Sequence, residues 1–120
     1  GARMPLFPAK IDSIQASVIL VEGIYDMLNL HDKGLTNAVC CFGTRNINEE
    51  KLSILRLQGI EEAIVFFDGD EAGQAAAIKV QEMCENVDLL TRNINIADID
   101  PGALTENQVE KLKSKLYKGV

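Results

Sequence analysis

Val18-Ile19-Leu20-Val21, opened by Ser17 and closed by Glu22-Gly23, is an unbroken apolar run rich in β-branched residues. A strand with no polar position on either face must be covered on both, as in the middle of a parallel sheet. A second such run spans Glu62 to Phe67 and ends abruptly on Asp68-Gly69-Asp70. Two doubly buried strands require helices on both faces of the sheet. A chain of 120 residues closes one such core without a disulfide or a structural metal.

The segments between these runs supply the helices. Ile24 to Lys33 reads as a helix, with Ile24, Met27, Leu28 and Leu30 on its apolar side. Gly34 is placed to stop it in a left-handed conformation. Asn37 to Phe42 is a second strand, left through Gly43 and Thr44. Asn48-Glu49-Glu50 marks a helix start, carried by Leu52 and Leu55 to Gly59. After the acidic tract, Gln74 to Glu85 is expected as a helix that turns Ala75, Ala77, Ile78, Met83 and Cys84 to the sheet. Val87 to Leu90 is a short fourth strand, and Thr91 to Ala103 is polar and turn-rich. A last helix runs from about Thr105 to Tyr117, with Thr105 and Gln108 at capping-box spacing and Val109, Leu112 and Leu116 in one stripe. Residues 1–16, with Pro5 and Pro8, read as an arm or linker ahead of one α/β domain over 17–120. Gly1-Ala2-Arg3 before Met4 looks like an expression scar rather than a targeting peptide. The fold class is therefore α/β, with about four mostly parallel strands flanked by helices.

In such folds the functional crevice lies at the carboxyl ends of the strands. Glu22 closes the first strand there, and Asp68 and Asp70 close the third. If these strands are neighbours, the three carboxylates share one crevice. Crowding them is costly: a pair about 4 Å apart repels by roughly 4 kcal/mol at an effective dielectric near 20. A hard divalent cation, magnesium or manganese, offsets that repulsion and favours oxygen ligands. The competing reading is a solvated Asp-Gly-Asp turn that caps the next helix. Asp26 is either a first-turn helix acid or a further member of the site. Asp98 and Asp100 lie in the loop after the fourth strand and also fit an ordinary turn. Gly43-Thr44-Arg45 is either a plain strand-to-helix turn or a phosphate contact, with Arg45 supplying the charge. His31 is expected on a solvated helix face, and Glu71 as a first-turn acid.

Charge narrows the function classes. Lys and Arg total 12 against 18 Asp and Glu, a net charge of -6. This disfavours a free-standing domain that grips nucleic acid through a broad basic surface, but not a catalytic domain delivered to it by others. There is no GxxxxGK[ST] loop, and no GxGxxG comes after the first strand. Cys40, Cys41 and Cys84 make an odd count without a zinc pattern, as expected of buried free thiols in a reducing cytoplasm. No apolar stretch approaches the length of a membrane span.

Three tracts together resemble a Toprim domain: Val21-Glu22-Gly23-Ile24-Tyr25-Asp26, Phe42-Gly43-Thr44, and Phe67-Asp68-Gly69-Asp70-Glu71-Ala72-Gly73 followed by Ala75-Ala76. The resemblance covers about residues 17–102. It is nearest in look to the catalytic core of a bacterial or phage DnaG-type primase. It implies that Glu22 is the catalytic acid, with Asp26, Asp68 and Asp70 also in the catalytic set. It implies that Glu22, Asp68, Asp70 and Asp100 hold magnesium, or manganese, with Asp98 competing for the last place. The implied reaction is RNA primer synthesis by nucleotidyl transfer, with DNA template and nucleoside triphosphates brought through additional domains. A zinc module and a helicase are implied partners. The chain carries no zinc-binding module, basic amino-terminal half or helicase-binding tail, so activity in isolation is not expected. A Toprim nuclease or RNA-processing domain, and a non-catalytic interaction module, are the alternative readings.

Overall fold

The structure, a computed structural model, describes residues 11–41, 47–95 and 100–117. Four strands, β1 (Ser17–Val21), β2 (Ala38–Cys40), β3 (Glu62–Val65) and β4 (Leu90–Asn93), form one sheet in the order β2-β1-β3-β4. Every pairing is parallel. The helices are α1 (Ile24–Asp32), α2 (Glu49–Leu57), α3 (Glu71–Asn86) and α4 (Glu106–Leu116), and a 3-10 turn spans Pro101–Ala103.

Alternation along the strands divides the core in two. Val18, Leu20, Val39, Ala63, Val65 and Phe67 point to one side, where Leu52 and Leu55 of α2 and Ala77, Val80 and Cys84 of α3 meet them. Ile19, Val21, Ala38, Cys40, Ile64 and Phe66 point to the other, against Met27 and Leu30 of α1 and Val109 and Leu112 of α4. This is the double coverage that the apolar runs demand. All three cysteines are buried and none is in a disulfide, as expected.

Several local expectations shift. In α3 the sheet-facing stripe is Gly73, Ala77, Val80 and Cys84, whereas Ile78 is 56% exposed. In α1, Leu28 is likewise turned outward at 49% exposure, leaving Met27 and Leu30 inside. β4 starts where the fourth strand was expected to end. Residues 87–89 instead close α3: Val87 caps it, Asp88 takes φ 64, and the Leu89 amide returns to the Cys84 carbonyl at 2.9 Å. Gly34 does adopt the left-handed conformation, with φ 98. Thr105 and Gln108 form the expected capping box.

The order β2-β1-β3 fixes where a site belongs. The chain leaves β1 through α1 toward β2, then crosses by α2 to the other side of β1 to form β3. The two connections lie on opposite faces, which opens a crevice between the carboxyl ends of β1 and β3.

Candidate functional site

Glu22 comes directly after β1, and Asp68 comes after the extended Phe66-Phe67 that prolongs β3. The ladder pairs Leu20 with Val65 and continues through the Phe66 amide, which donates to the Leu20 carbonyl at 2.9 Å. One step on, the Asp68 amide donates to Glu22 Oε1 at 3.2 Å. The neighbouring strand ends thus bring these two acids together. Glu22 and Asp68 are both half-buried.

Asp70 takes the role of helix cap. Its backbone is extended and its Oδ1 accepts from the Gly73 amide at 2.6 Å. α3 therefore starts at Glu71, ahead of the expected Gln74, and Glu71 is a first-turn acid as read. Capping uses only one carboxylate oxygen. Gln74, which sequence reasoning passed over, donates from Nε2 to the Asp68 carbonyl at 3.1 Å and accepts at Oε1 from Asn93 of β4 at 3.1 Å. Its only sequence signal is a position one turn into the helix after the acidic tract.

Asp26 sits in the first turn of α1, where both its oxygens meet backbone N–H groups. Oδ2 accepts from Gly23 at 3.2 Å, and Oδ1 accepts from Gly102 at 2.9 Å. The second bond draws the loop after β4 over to α1 and brings Asp100 to the acidic end of the sheet. Burial pushes the Asp26 carboxyl up; the Gly23 and Gly102 amides oppose this, and Asp100 adds to it. Asp98 lies outside the described residues, as do Gly43, Thr44 and Arg45.

Asp68 records the crowding. Burial, then the charges of Asp100, Glu22, Asp26 and Asp70 in that order, push its carboxyl up to about 6. Asp70, two positions on in sequence, contributes least of these neighbours, and its Oδ1 is held by the Gly73 amide. Among the described residues no three acidic, cysteine or histidine side chains close around a single ion position. Glu22, Asp26 and Asp70 instead accept from backbone N–H groups. The donor set still fits a hard cation: it is all carboxylate oxygen, and its mutual repulsion is the kind a divalent ion relieves. Magnesium in particular keeps several waters and uses only one or two protein carboxylates beside substrate phosphate.

The rest of the surface bears less on this chemistry. A depression of about 660 Å³ lined by Ser53, Arg56, Leu57, Ile60 and Val87 lies at the opposite, amino-terminal end of the strands. His31 is not simply solvated: it is half-buried and its Nε2 lies 2.9 Å from the Ala38 carbonyl.

Similarity to known proteins covers most of the chain. The DNA primase of Helicobacter pylori (strain J99) is 32% identical over 112 residues, 88% of this chain and 19% of that protein. The chain thus spans about a fifth of the length of the curated relatives it matches. A DNA primase domain from Pseudomonas aeruginosa superposes with TM-score 0.72 at 25% identity, covering 85% of this chain and 33% of that one. The Aquifex aeolicus primase, solved as its zinc-binding and RNA polymerase domains, gives TM-score 0.74 at 24% identity over 83% of this chain and 25% of that one. The profile of the Toprim domain matches residues 16–97, and with the acids in place at the strand ends, this chain belongs to the Toprim domain family.

Proposed function

We propose that this chain is the acid-bearing part of a DnaG-type primase and serves magnesium-dependent nucleotidyl transfer, joining nucleoside triphosphates into an RNA primer on a DNA template. The observation that carries the reading is geometric: the paired ends of β1 and β3 set Glu22 against Asp68, whose amide donates to Glu22 Oε1 at 3.2 Å, with the charges of Asp100, Asp26 and Asp70 also bearing on Asp68. The similarity to DNA primases across most of the chain favours primer synthesis over the other chemistries of a Toprim crevice.

In this reading Glu22, Asp68, Asp70 and Asp100 hold Mg2+, with Mn2+ as a substitute. Such an ion supplies positive charge beside the triphosphate and the attacking 3′-oxygen. The chain's own residues do the positioning. Glu22 Oε1 is fixed by the Asp68 amide, which leaves Oε2 for ligation or for proton transfer. Asp70 keeps one oxygen on Gly73 and presents the other. We assign Gly43, Thr44 and Arg45 to the phosphates from their sequence pattern. Template and nucleotides come through further domains, with a zinc module and a helicase as partners, in the cytoplasm. Among the described residues no helix is long and apolar enough to cross a membrane.

Magnesium titration of the 120-residue chain, monitored by amide NMR shifts, is the first test. The wild type is expected to bind and the Asp68→Ala, Asp70→Ala double variant to lose binding; equal binding by both removes the metal assignment. The second test places the chain in the matching segment of the Helicobacter pylori primase and supplies labelled template with magnesium. Primer formation that needs nucleoside triphosphates and Asp68 supports the reading. Cleavage without them reassigns the crevice to a nuclease or RNA-processing enzyme. Partner binding without metal or nucleotide response makes it an interaction module.

A further inference from the structure

Asp100 is exposed, so its own side chain does not anchor it. The residues after it are anchored. Pro101 and Leu104 are buried, and the Ala103 amide closes the 3-10 turn on the Asp100 carbonyl at 2.9 Å. The turn is bonded to α1 by two side chains. Asn29 Nδ2 donates to the Pro101 carbonyl at 2.9 Å and to the Leu104 carbonyl at 3.1 Å. Asp26 Oδ1 takes the Gly102 amide at 2.9 Å. Asp26 and Asn29 are three positions apart and share one face of the helix. The fit is close: a β-carbon on Gly102 would lie 2.9 Å from Asp26 Oδ1.

Both hydrogens of the Asn29 amide are committed. Its nitrogen has two hydrogens and both go to turn carbonyls, while its oxygen accepts from Lys33 Nζ. The reversed amide would set its oxygen against two carbonyl oxygens, so this orientation is the one the turn selects. Neither amide hydrogen is left for a nucleotide.

We infer that Asn29 is a positioning residue, which clamps the Pro101–Ala103 turn to α1 and thereby keeps Asp100 at the acidic crevice beside Asp68. Its effect on metal binding rests on the cation site argued under Proposed function; its effect on the turn does not. Outer partners of this kind are commonly worth about 10–100-fold in metal affinity.

The experiment compares the full chain with Asn29→Leu, Asp100→Asn and the double variant, with Asn29→Ala in reserve should leucine disturb folding as read by far-UV circular dichroism. Amide hydrogen exchange at Gly102 and Ala103, measured without metal, is expected to speed up in the Asn29 variant. Magnesium affinity is expected to fall about tenfold, and by no more in the double variant than in Asp100→Asn alone. Unchanged exchange at Gly102 overturns the inference. So does a loss of affinity that adds fully to that of Asp100→Asn, because Asn29 would then act elsewhere. If the wild type shows no magnesium response, the cation reading fails by itself and the exchange rates alone decide the clamp.

Discussion

A β-carbon built on Gly73 would lie 2.2 Å from the carbonyl oxygen of Asp68. Real side chains do not tolerate such an approach, so the first turn of α3 sits on the end of the β3 connection only because residue 73 is glycine. The same closeness lets the Gly73 amide reach Asp70 Oδ1 and Gln74 reach the Asp68 carbonyl. One absent side chain therefore sets how both aspartates are presented.

Gly73→Ala is expected to cost about 1–3 kcal/mol in urea unfolding, the usual range for overpacking, and to weaken the magnesium response. Gly59→Ala is the control. Gly59 has φ 95 but nothing within 4 Å of a β-carbon, so only the left-handed strain of about 1–2 kcal/mol applies. Magnesium binding in Gly59→Ala should match the wild type.

The raised Asp68 carboxyl gives a pH dependence of defined sign. Its value of about 6 in the fold exceeds the ordinary 3.8, so between these limits the folded chain holds the proton more tightly than the unfolded chain. The resulting stabilisation is fully present below 3.8 and is lost as pH rises through about 6. Asp26, also raised, acts in the same direction. Urea midpoints of the metal-free chain should fall across that window, and Asp68→Asn should reduce the slope.

Proton and cation compete for the same oxygens. Magnesium affinity should therefore climb with pH and level off above about 6, the value for Asp68. Calorimetric titrations at a series of pH values check this. A flat profile would detach Asp68 from the cation.

Asp68→Asn separates stability from function. Removing the charge relieves repulsion from Asp100, Glu22, Asp26 and Asp70. At neutral pH the metal-free variant should unfold at higher urea than the wild type while its magnesium response disappears.

At the other end of the strands, Ser17 Oγ donates to the Ile14 carbonyl at 2.9 Å, so its 2.6 Å contact with Tyr117 is donated by the phenol. Asn37 Nδ2 in turn donates to the Tyr117 hydroxyl at 2.7 Å. Tyr117→Phe leaves these buried groups short of a partner and should cost about 1–3 kcal/mol. Magnesium affinity should be unaffected, since this cluster lies at the amino ends of the strands.

How much the sequence discloses depends on how local each cause is. β1 and β3 are legible because doubly buried strands leave unbroken apolar runs, and Glu22 and Asp68 are legible as the residues that interrupt those runs. β4 is displaced from its expected place because Leu90 is the only large apolar residue within it and that residue is 69% exposed. The α3 stripe differs from expectation because alanine on every side blurs a helical period; Val80 marks the buried face better than Ile78 does. Asp68 and Asp70 both read as closing the third strand, and the competing reading of a helix cap holds for Asp70. The bonds of Gln74 and Asn29 are not legible in the sequence, since their partners at Asn93, Pro101 and Leu104 come near only after the sheet has formed.

The β1–β3 pairing also acts as a gauge. Because Ile19 faces Ile64 and Leu20 faces Val65, the offset between Glu22 and Asp68 is counted in rungs of a ladder rather than left to a loop. Sliding β3 by one rung would displace Asp68 by about 3.3 Å and turn its neighbours to the wrong side of the sheet. Asp70 and Asp100 are held by a helix cap and by a side-chain-bonded turn, contacts that single substitutions can retune, whereas the spacing of the first two acids changes only in whole steps that the packed layers forbid.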